Sequence, residues 1–254
     1  PGRSLCGDME VFDIGIPRRI LMEGCASIFE NHPSVWAAAF PKPDGETHKF
    51  KRGHLTVFSG PSHATGAARM TAMAGFRAGA GIVTVAAPHE ALGALSASLT
   101  AVMVSGIETK EGLIDWRDDK RHATYVLGPG FGDLDRARAF VSLLRDKALV
   151  LDADGITAFK DEPQRLFDLF AANAPRILTP HEGEFARLFP DIAADKTLGK
   201  VEKAQAAAAA SNAVIVYKGA DTVVAAPDGR AVINANAPTY LATAGSGDVL
   251  AGIA

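Results

Sequence analysis

From residue 54 onward, short runs of β-branched residues alternate with alanine- and leucine-rich stretches whose apolar positions recur at helical spacing. This alternation is typical of an α/β domain in which crossover helices connect the strands of a mostly parallel sheet. Nine strands are predicted, at residues 54–59, 82–86, 101–105, 124–128, 149–153, 176–179, 214–218, 222–226 and 231–234. Five helices are predicted, at residues 66–78, 134–147, 164–172, 181–189 and 198–211. We therefore expect one large domain whose sheet is flanked by helices.

Two segments depart from the parallel pattern. Asp228 and Gly229 separate the last two predicted strands, and Asp-Gly is a favourable two-residue hairpin turn, so these strands should be antiparallel. Residues 1–50 contain five prolines and a Pro-Lys-Pro-Asp-Gly turn at 41–45, which regular elements do not tolerate. We expect a mixed sheet preceded by an extended arm.

Charge and composition exclude several classes of protein. The 254 residues include 26 Lys and Arg against 29 Asp and Glu, for a net charge of -3, so there is no basic excess for binding nucleic acid. Cys6 and Cys25 form neither a disulfide framework nor a CxxC metal pair, which favours a reducing compartment. No apolar run approaches the length of a membrane span and no secretion signal is present, so we expect a cytoplasmic protein without membrane partners.

Two glycine-containing segments follow predicted strands and precede predicted helices, which is where open α/β sheets bind ligands. Residues 59–67 (SGPSHATGA) could bring bare backbone amides to a phosphate or sugar, or form only a flexible turn. Residues 127–133 (LGPGFGD) place three glycines within five positions, which permits positive φ angles and close backbone approach. Neither segment has the GxGxxG spacing of a Rossmann site, and the chain contains no GxxxxGK[ST] P-loop.

The segment AGSGDVLAG at 244–252 has the most specific pattern in the chain. Gly245, Ser246 and Gly247 precede a predicted helix, so their unpaired N–H groups at the positive end of the helix dipole should form an anion hole. Asp248 in the first turn could then accept a proton from a hydroxyl beside that hole. The alternative is that Asp248 only caps the helix.

Two further segments supply charged residues at strand ends. Lys218 follows a predicted strand and could neutralise phosphate, or it could be a solvated surface charge. In TPHEGE at 179–184, Thr179 and Glu182 have the spacing of a capping box, with Pro180 at the first helical position. His181 and Glu184 do not belong to this box and could serve magnesium or phosphate chemistry. A zinc site is rejected, because HEGE lacks the second histidine of an HExxH zinc helix.

A pair of acidic residues ends the strand predicted at 149–153. Asp152 and Asp154 could hold Mg²⁺ through water or orient a substrate. For Asp154, an N-cap role ahead of a helix at 155–160 is equally compatible with the pattern.

The order of these motifs resembles the ADP/ATP-dependent NAD(P)H-hydrate dehydratase family, a branch of the ribokinase-like fold, from about His48 to the last residue. The matching segments are HKFKRGH, TGAARM, RAGAGIVTV, LGPGFG, LDADGI, TPHEGEFARL, YKGADTVV and NAPTYLATAGSGDVLAGI. The resemblance implies a three-layer α/β sandwich with a mostly parallel central sheet. It also implies dehydration of the S epimer of hydrated NADH or NADPH (NADHX, NADPHX), while ADP, or ATP in eukaryotic members, loses its terminal phosphate. Phosphorylation of the ring hydroxyl would make it a good leaving group.

The resemblance also implies roles for particular residues. Those expected to contact the hydrated dinucleotide are Ala67, Gly130, His181 and Asp248, with Asp248 in the position of the base that activates the hydroxyl in related kinases. Those expected to surround the adenine nucleotide are Lys218, Gly219, Ala220, Asp221, Thr222 and Gly247. Glu184 is expected near Mg²⁺. Family members are often homo-oligomers, which is the expectation here.

Two domains and two alternative functions complete the interpretation. Residues 1–47 are interpreted as an arm or linker, because MEVFDIGIP at 9–17 resembles the end of the epimerase domain that precedes this one in bifunctional members. Residues 48–254 are interpreted as the dehydratase domain, truncated at its C-terminus, because the family continues with further helices. The alternatives are a ribokinase-like kinase of a small alcohol and a catalytically silent nucleotide-binding module.

Overall fold

The computed structural model describes residues 7, 10, 12–25, 27–171 and 174–254, so Cys6, Met9, Val11 and Ala172 lie outside the described residues. Ten strands form within them: β1 Ile28–Glu30, β2 His54–Phe58, β3 Ile82–Ala87, β4 Met103–Gly106, β5 Thr124–Leu127, β6 Ala148–Leu151, β7 Arg176–Leu178, β8 Val214–Tyr217, β9 Thr222–Ala225 and β10 Ala231–Asn234. The helices are α1 Arg18–Cys25, α2 Pro33–Trp36, α3 Thr65–Ala78, α4 Leu92–Ser98, α5 Lys110–Asp118, α6 Leu134–Leu143, α7 Asp154–Thr157, α8 Pro163–Leu169, α9 Glu182–Leu188, α10 Pro190–Ala194, α11 Lys200–Ser211 and α12 Ser246–Ile253. All nine predicted strands are present.

The strands form one sheet in the order β1-β10-β9-β8-β7-β6-β5-β2-β3-β4. From β4 to β8 every neighbouring pair is parallel, whereas β9 is antiparallel to both β8 and β10. The predicted hairpin is confirmed, with Gly229 at a φ of 89° in its turn. A mixed, mostly parallel sheet therefore brings the carboxyl ends of the seven adjacent strands β2 to β8 to the same edge.

Helices cover both faces of the sheet. Successive residues of a strand point to opposite faces, so neighbouring residues such as Val57 and Phe58 belong to different clusters of the core. Val57 packs into a cluster with Ala68, Ala72 and Ala251, so that α3 and α12 cover one face. Phe58 packs into the other cluster, which a second group of helices covers through Phe140, Phe185 and Ala204 among others. The three-layer arrangement predicted from the sequence is confirmed.

The prediction of an extended arm over residues 1–50 is wrong in part, because this region contains α1, β1 and α2. Strand β1 pairs in parallel with β10, where the Ala231 N–H donates to the Ser27 carbonyl at 2.6 Å and the Asn31 N–H to the Ile233 carbonyl at 2.8 Å. These bonds satisfy backbone groups that β10 would otherwise expose at the sheet edge. No helix in the described part of the chain is long and apolar enough to cross a membrane.

Candidate active site

The candidate site lies at the edge where the parallel strands end. The segments after β2, β5, β6, β7 and β8 all reach this edge, and the start of α12 joins them. In open parallel sheets ligands bind in the crevice outside the carboxyl ends of the strands. The glycine loops and charged motifs of the sequence therefore converge on one region.

Asp152 and Lys218 form an ion pair in this region. Asp152 follows β6, and its side chain is 3% exposed. Its Oδ1 accepts hydrogen bonds from Lys218 Nζ at 2.7 Å and from the Thr179 hydroxyl at 2.8 Å. Lys218 Nζ also lies 3.9 Å from Glu184 Oε2, and the lysine side chain is only 20% exposed. Lys218 is thus held within the site, and its interpretation as a solvated surface charge is wrong.

The capping box of α9 involves other residues than those predicted. His181, not Thr179, is the N-cap: its Nδ1 accepts from the backbone N–H of Gly183 at 2.9 Å and of Glu184 at 3.3 Å. Glu184 Oε2 accepts in return from the His181 N–H at 2.9 Å. The predicted box of Thr179 and Glu182 is wrong because Thr179 is still extended after β7, where its hydroxyl reaches Asp152.

This cap limits the metal chemistry of Glu184. Its carboxylate is 7% exposed, with one oxygen in the cap and the other 3.5 Å from His181 Nε2. Among the described residues no group of three or more His, Cys, Asp or Glu is arranged to bind a metal ion. Mg²⁺ commonly keeps several waters and takes one or two carboxylates together with substrate phosphates. A magnesium ion at this site would therefore have to be of that kind, with Glu184 as one possible carboxylate.

The start of α12 has the geometry expected of an anion hole. Gly245 is the N-cap with a φ of 87°, and no side chain caps the first turn. The N–H groups of such a turn lack intrahelical partners and lie at the positive end of the helix dipole. The prediction of an unpaired N–H is wrong for Ser246, which donates to the Thr243 carbonyl at 3.4 Å. Asp248 lies within the first turn, so the interpretation that it only caps the helix is wrong.

The anion hole faces the Lys218 pair. A Cβ built on Gly247 would lie 3.5 Å from Lys218 Nζ and 3.9 Å from Asp152 Oδ2. Burial raises the pKa of the Asp248 carboxyl above its ordinary value, and the negative charge of Asp152 raises it further, whereas the charge of Lys218 opposes both. A carboxylate with a raised pKa is a stronger base at neutral pH.

Helix α12 is held against α3, which carries Ala67. The Thr71 hydroxyl lies 2.9 Å from the Asp248 carbonyl oxygen and 3.0 Å from that of Ala67. A Cβ built on Gly252 would lie 2.1 Å from the Thr71 carbonyl oxygen, so only glycine permits this approach. These contacts place Asp248, in the first turn of α12, beside Thr71 in the second turn of α3.

The two earlier glycine segments contact each other beside α3. Gly128, Gly130 and Gly132 have φ angles of 132°, 61° and 80°, which side chains disfavour. A Cβ built on Gly130 would lie 3.1 Å from Ala67 Cβ, and one built on Gly60 would lie 2.0 Å from the Gly130 carbonyl oxygen. Ala67, Gly130 and residues at the start of α12 are therefore near one another.

The two acids of the LDADG segment take separate partners. Asp154 Oδ2 accepts from the Gly132 N–H at 2.8 Å, which stabilises the GPGFG turn. The N-cap of α7 is Ala153, with a φ of 44°, so the alternative of an N-cap role for Asp154 is wrong. Asp152 faces the other way, toward Lys218.

The family of the chain follows from comparison with known proteins. The model of the NAD(P)H-hydrate dehydratase family matches residues 55–254. The chain belongs to the NAD(P)H-hydrate dehydratase family. The resemblance of its ordered motifs to this family is thus confirmed.

Relatives of this family member are longer proteins. The bifunctional NAD(P)H-hydrate repair enzyme Nnr of Moorella thermoacetica is 36% identical in an alignment covering 100% of this chain and 49% of the relative. The enzyme of the same name from Synechocystis sp. is 39% identical over 82% of this chain and 40% of the relative. The chain thus spans about half the length of the curated relatives that it matches.

Solved structures confirm the ribokinase-like fold. The ADP/ATP-dependent NAD(P)H-hydrate dehydratase of Bacillus subtilis, co-crystallised with ATP and Mg²⁺, superposes with a TM-score of 0.73 at 26% identity, covering 88% of this chain and 78% of the other. A ribokinase-like superfamily protein of Enterococcus faecalis also gives a TM-score of 0.73, at 23% identity, and covers 89% of this chain and 78% of its own.

The turn after Lys218, residues 219–221, is exposed. A residue that the sequence did not indicate, Lys200, contacts it. Lys200, the first residue of α11, donates to Asp221 Oδ1 at 2.7 Å, and its Nζ lies 4.9 Å from the centre of the Tyr217 ring. Within the turn, the Thr222 hydroxyl accepts from the Gly219 N–H at 3.2 Å. No pattern in the sequence indicates this contact, because Lys200 and Asp221 lie 21 positions apart and belong to no common motif.

Proposed function

We propose that this chain dehydrates the S epimer of NADHX or NADPHX to NADH or NADPH and cleaves the terminal phosphate of ADP or ATP in doing so. The observation that supports this most directly is that the Asp248 carboxyl, the uncapped first turn of α12 and the Lys218 ammonium meet at one edge of the sheet. A base, an anion hole and a cation are what transfer of a phosphoryl group to a hydroxyl requires. Membership of the dehydratase family supports the choice of a hydrated nicotinamide as the substrate.

The proposed reaction has two steps. Asp248 accepts the proton of the ring hydroxyl, the hydroxyl oxygen bonds to the terminal phosphorus, and the bond from that phosphorus to the remaining nucleotide breaks. The ring carbon then loses the phosphate with its bonding electrons, while the neighbouring carbon loses a proton and the dihydropyridine double bond is restored. With ADP the products are the reduced dinucleotide, AMP, inorganic phosphate and a proton.

Two groups of residues would hold the reactants. Ala67, Gly130, His181 and Asp248 are proposed to contact the hydrated dinucleotide, where the glycine turns permit close backbone approach. The residues proposed to surround the adenine nucleotide are Lys218, Gly219, Ala220, Asp221, Thr222 and Gly247. The first turn of α12, from Gly245 to Gly247, would receive the transferring phosphoryl group.

Mg²⁺ is proposed to enter with the nucleotide and to neutralise charge on its phosphates. Glu184 is the carboxylate expected nearest to it, and its buried position beside Lys218 is compatible with contact through water. The stretch 9–17 supports a further proposal, that an epimerase domain precedes this one in the native protein. We expect a homo-oligomer in the cytoplasm, where its nucleotide substrates are found.

The experiment that tests this function follows the recovery of absorbance in the NADH band. Protein is mixed with NADHX, Mg²⁺ and either ADP or ATP, and inorganic phosphate is measured in parallel. We expect NADH and phosphate to form in equal amounts with at least one nucleotide. Nucleotide binding without any NADH formation would overturn the proposal, in favour of a kinase of another alcohol if phosphoryl transfer to one is found, or of a silent module if none is.

Two variants assign roles within this assay. Asp248→Ala should abolish turnover and leave nucleotide affinity nearly unchanged, because the carboxylate acts on the hydroxyl. Lys218→Ala should weaken nucleotide binding more than dinucleotide binding. The opposite ranking would mean that the two subsites are exchanged.

A further inference from the structure

Asp152 has no role in the reaction proposed above, yet it lies at the centre of the site. Its residue is 2% exposed, although a carboxylate is among the costliest groups to bury. A buried charge is retained when a partner of opposite charge and hydrogen bonds compensate it. Here Lys218 supplies the charge and the Thr179 hydroxyl supplies a second hydrogen bond.

The sheet places these three residues at one level. Leu151 pairs with Leu178 in the parallel register of β6 and β7, so Asp152 and Thr179 are the next residues beyond two adjacent strand ends. Lys218 directly follows the next strand, β8, and its backbone N–H donates to the Pro180 carbonyl at 2.9 Å. Three neighbouring strands therefore fix both the acid and the backbone of the lysine.

The hydrogen bonds of Asp152 argue against a role as the catalytic base. Its Oδ1 already accepts hydrogen bonds from two donors, Lys218 Nζ and the Thr179 hydroxyl, so both acceptor positions of that oxygen are occupied by the protein itself. Its Oδ2 faces Gly247 at the start of α12. The carboxylate is thus placed between the lysine and the anion hole.

Lys218 needs such an anchor to act at a fixed point. A lysine ammonium sits on a flexible four-carbon chain and loses considerable rotamer freedom when it is fixed in one position. The pair with Asp152 holds the ammonium 3.5 Å from the position of a Cβ on Gly247, and Glu184 Oε2 lies 3.9 Å from it. Residues of the chain itself therefore place the cation against the anion hole.

We infer that Asp152 is a positioning residue that acts through Lys218, holding its ammonium against the first turn of α12 where the nucleotide phosphates bind. The identity of the anion rests on the function proposed above, whereas the pair itself rests on the geometry alone. Asp152 thereby determines how well the site binds a nucleotide without itself contacting the reacting atoms.

A double-mutant cycle tests this inference by calorimetric titration of the full chain with ADP and Mg²⁺. Asp152→Asn keeps the shape of the side chain and the acceptor for Thr179 and removes the charge. We expect ADP affinity to fall about tenfold in this variant, which corresponds to the loss of one charge-assisted hydrogen bond. Lys218→Met should weaken ADP binding at least as much. In the Lys218→Met background, Asp152→Asn should cause no further loss of ADP affinity, because the ammonium that Asp152 positions is absent.

Controls separate positioning from a general effect on folding. Asp228→Asn removes an exposed ion pair with Arg230 in the β9–β10 hairpin, at the end of β9 opposite to the Lys218 turn, and should leave ADP affinity unchanged. Asp152→Glu should restore part of the affinity, because a charge is again available to Lys218. In steady-state assays Asp152→Asn should raise KM for the nucleotide and leave KM for NADHX nearly constant, whereas partial unfolding would lower kcat alone.

Three results would overturn the inference: wild-type ADP affinity in Asp152→Asn, tighter binding in that variant, or a loss that persists in the Lys218→Met background. Tighter binding would mean that the carboxylate competes with phosphate for the lysine. The expected cycle in ADP affinity, together with no formation of NADH from NADHX by the wild type, would leave the positioning role standing and overturn the proposed function.

Discussion

The contact between the 59–64 loop and the GPGFG turn forms one wall of the proposed dinucleotide site, and Gly60→Ala tests it. A Cβ at residue 60 would lie 2.0 Å from the Gly130 carbonyl oxygen and 3.0 Å from that of Phe131. Ordinary contact begins near 3.4 Å, so the backbone of one loop must move by about 1.4 Å. Neither clashing atom belongs to a flexible side chain that could turn away.

The expected cost follows from overpacking. Forcing extra atoms into a well-packed region typically destabilises a protein by about 1–3 kcal/mol. Because the clash is with backbone, we expect the upper half of that range for the free energy of unfolding. The displaced Gly130 turn should also weaken dinucleotide binding, so that KM for NADHX rises while KM for the nucleotide changes little.

Urea unfolding followed by fluorescence measures the first effect and steady-state kinetics the second. Gly93→Ala is the matched control, because a Cβ on that exposed glycine of α4 meets nothing within 4 Å; it should be neutral or slightly stabilising, since alanine favours helices. If Gly60→Ala unfolds within about 0.5 kcal/mol of wild type, the change expected of an ordinary surface substitution, and its KM for NADHX is unaltered, the close contact of the two loops is refuted.

Three further predictions concern charge. Asp248→Asn should lower kcat by about 10²–10⁴-fold. It should also raise the melting temperature at neutral pH, because burial and the charge of Asp152 disfavour the ionised carboxylate of the wild type. In calorimetry the difference in melting temperature should shrink as the pH falls through the raised pKa, where the wild-type carboxyl is protonated and therefore neutral like the amide. Burial, with the charge of His122 second, lowers the pKa of His54 to about 4, so stability should fall between the unfolded value of about 6.5 and pH 4, less steeply in His54→Gln; an equal slope in both would contradict this. Chelation of Mg²⁺ should weaken ADP binding in calorimetry, and unchanged affinity would count against entry of the metal with the nucleotide.

Most of the strands could be predicted because the pattern that identifies each one lies within a few consecutive residues. Segments such as Ile82–Ala87 and Val214–Tyr217 are mostly apolar and are flanked by glycine, proline or charged residues, the pattern of a strand buried on both faces. Strand β1 was not predictable, because its three residues stay exposed and form a strand only by pairing with β10, about 200 positions later. Pairing over such a distance leaves no local pattern.

The candidate site divides in the same way. That the glycine loops share one edge follows from the parallel sheet alone. The bond between Lys218 and Asp152 joins residues 66 positions apart and depends on the order of β6, β7 and β8, which the pattern does not contain. The capping box was misplaced because threonine is the commoner cap, and the spacing alone does not separate Thr179 with Glu182 from His181 with Glu184.

The balance of charge in the site explains why a metal ion should accompany the nucleotide. Asp152, Glu184 and Asp248 bring three carboxylates to the neighbourhood of one ammonium, that of Lys218. The dipole of α12 adds only about half a positive charge, so an incoming polyphosphate would meet a net negative field at short range. A divalent cation bound to the phosphates reverses that balance. Burial raises the pKa of Asp248 and the charge of Asp152 raises it further. We therefore expect the carboxylate that helps to make Asp248 a base also to make nucleotide binding depend on Mg²⁺.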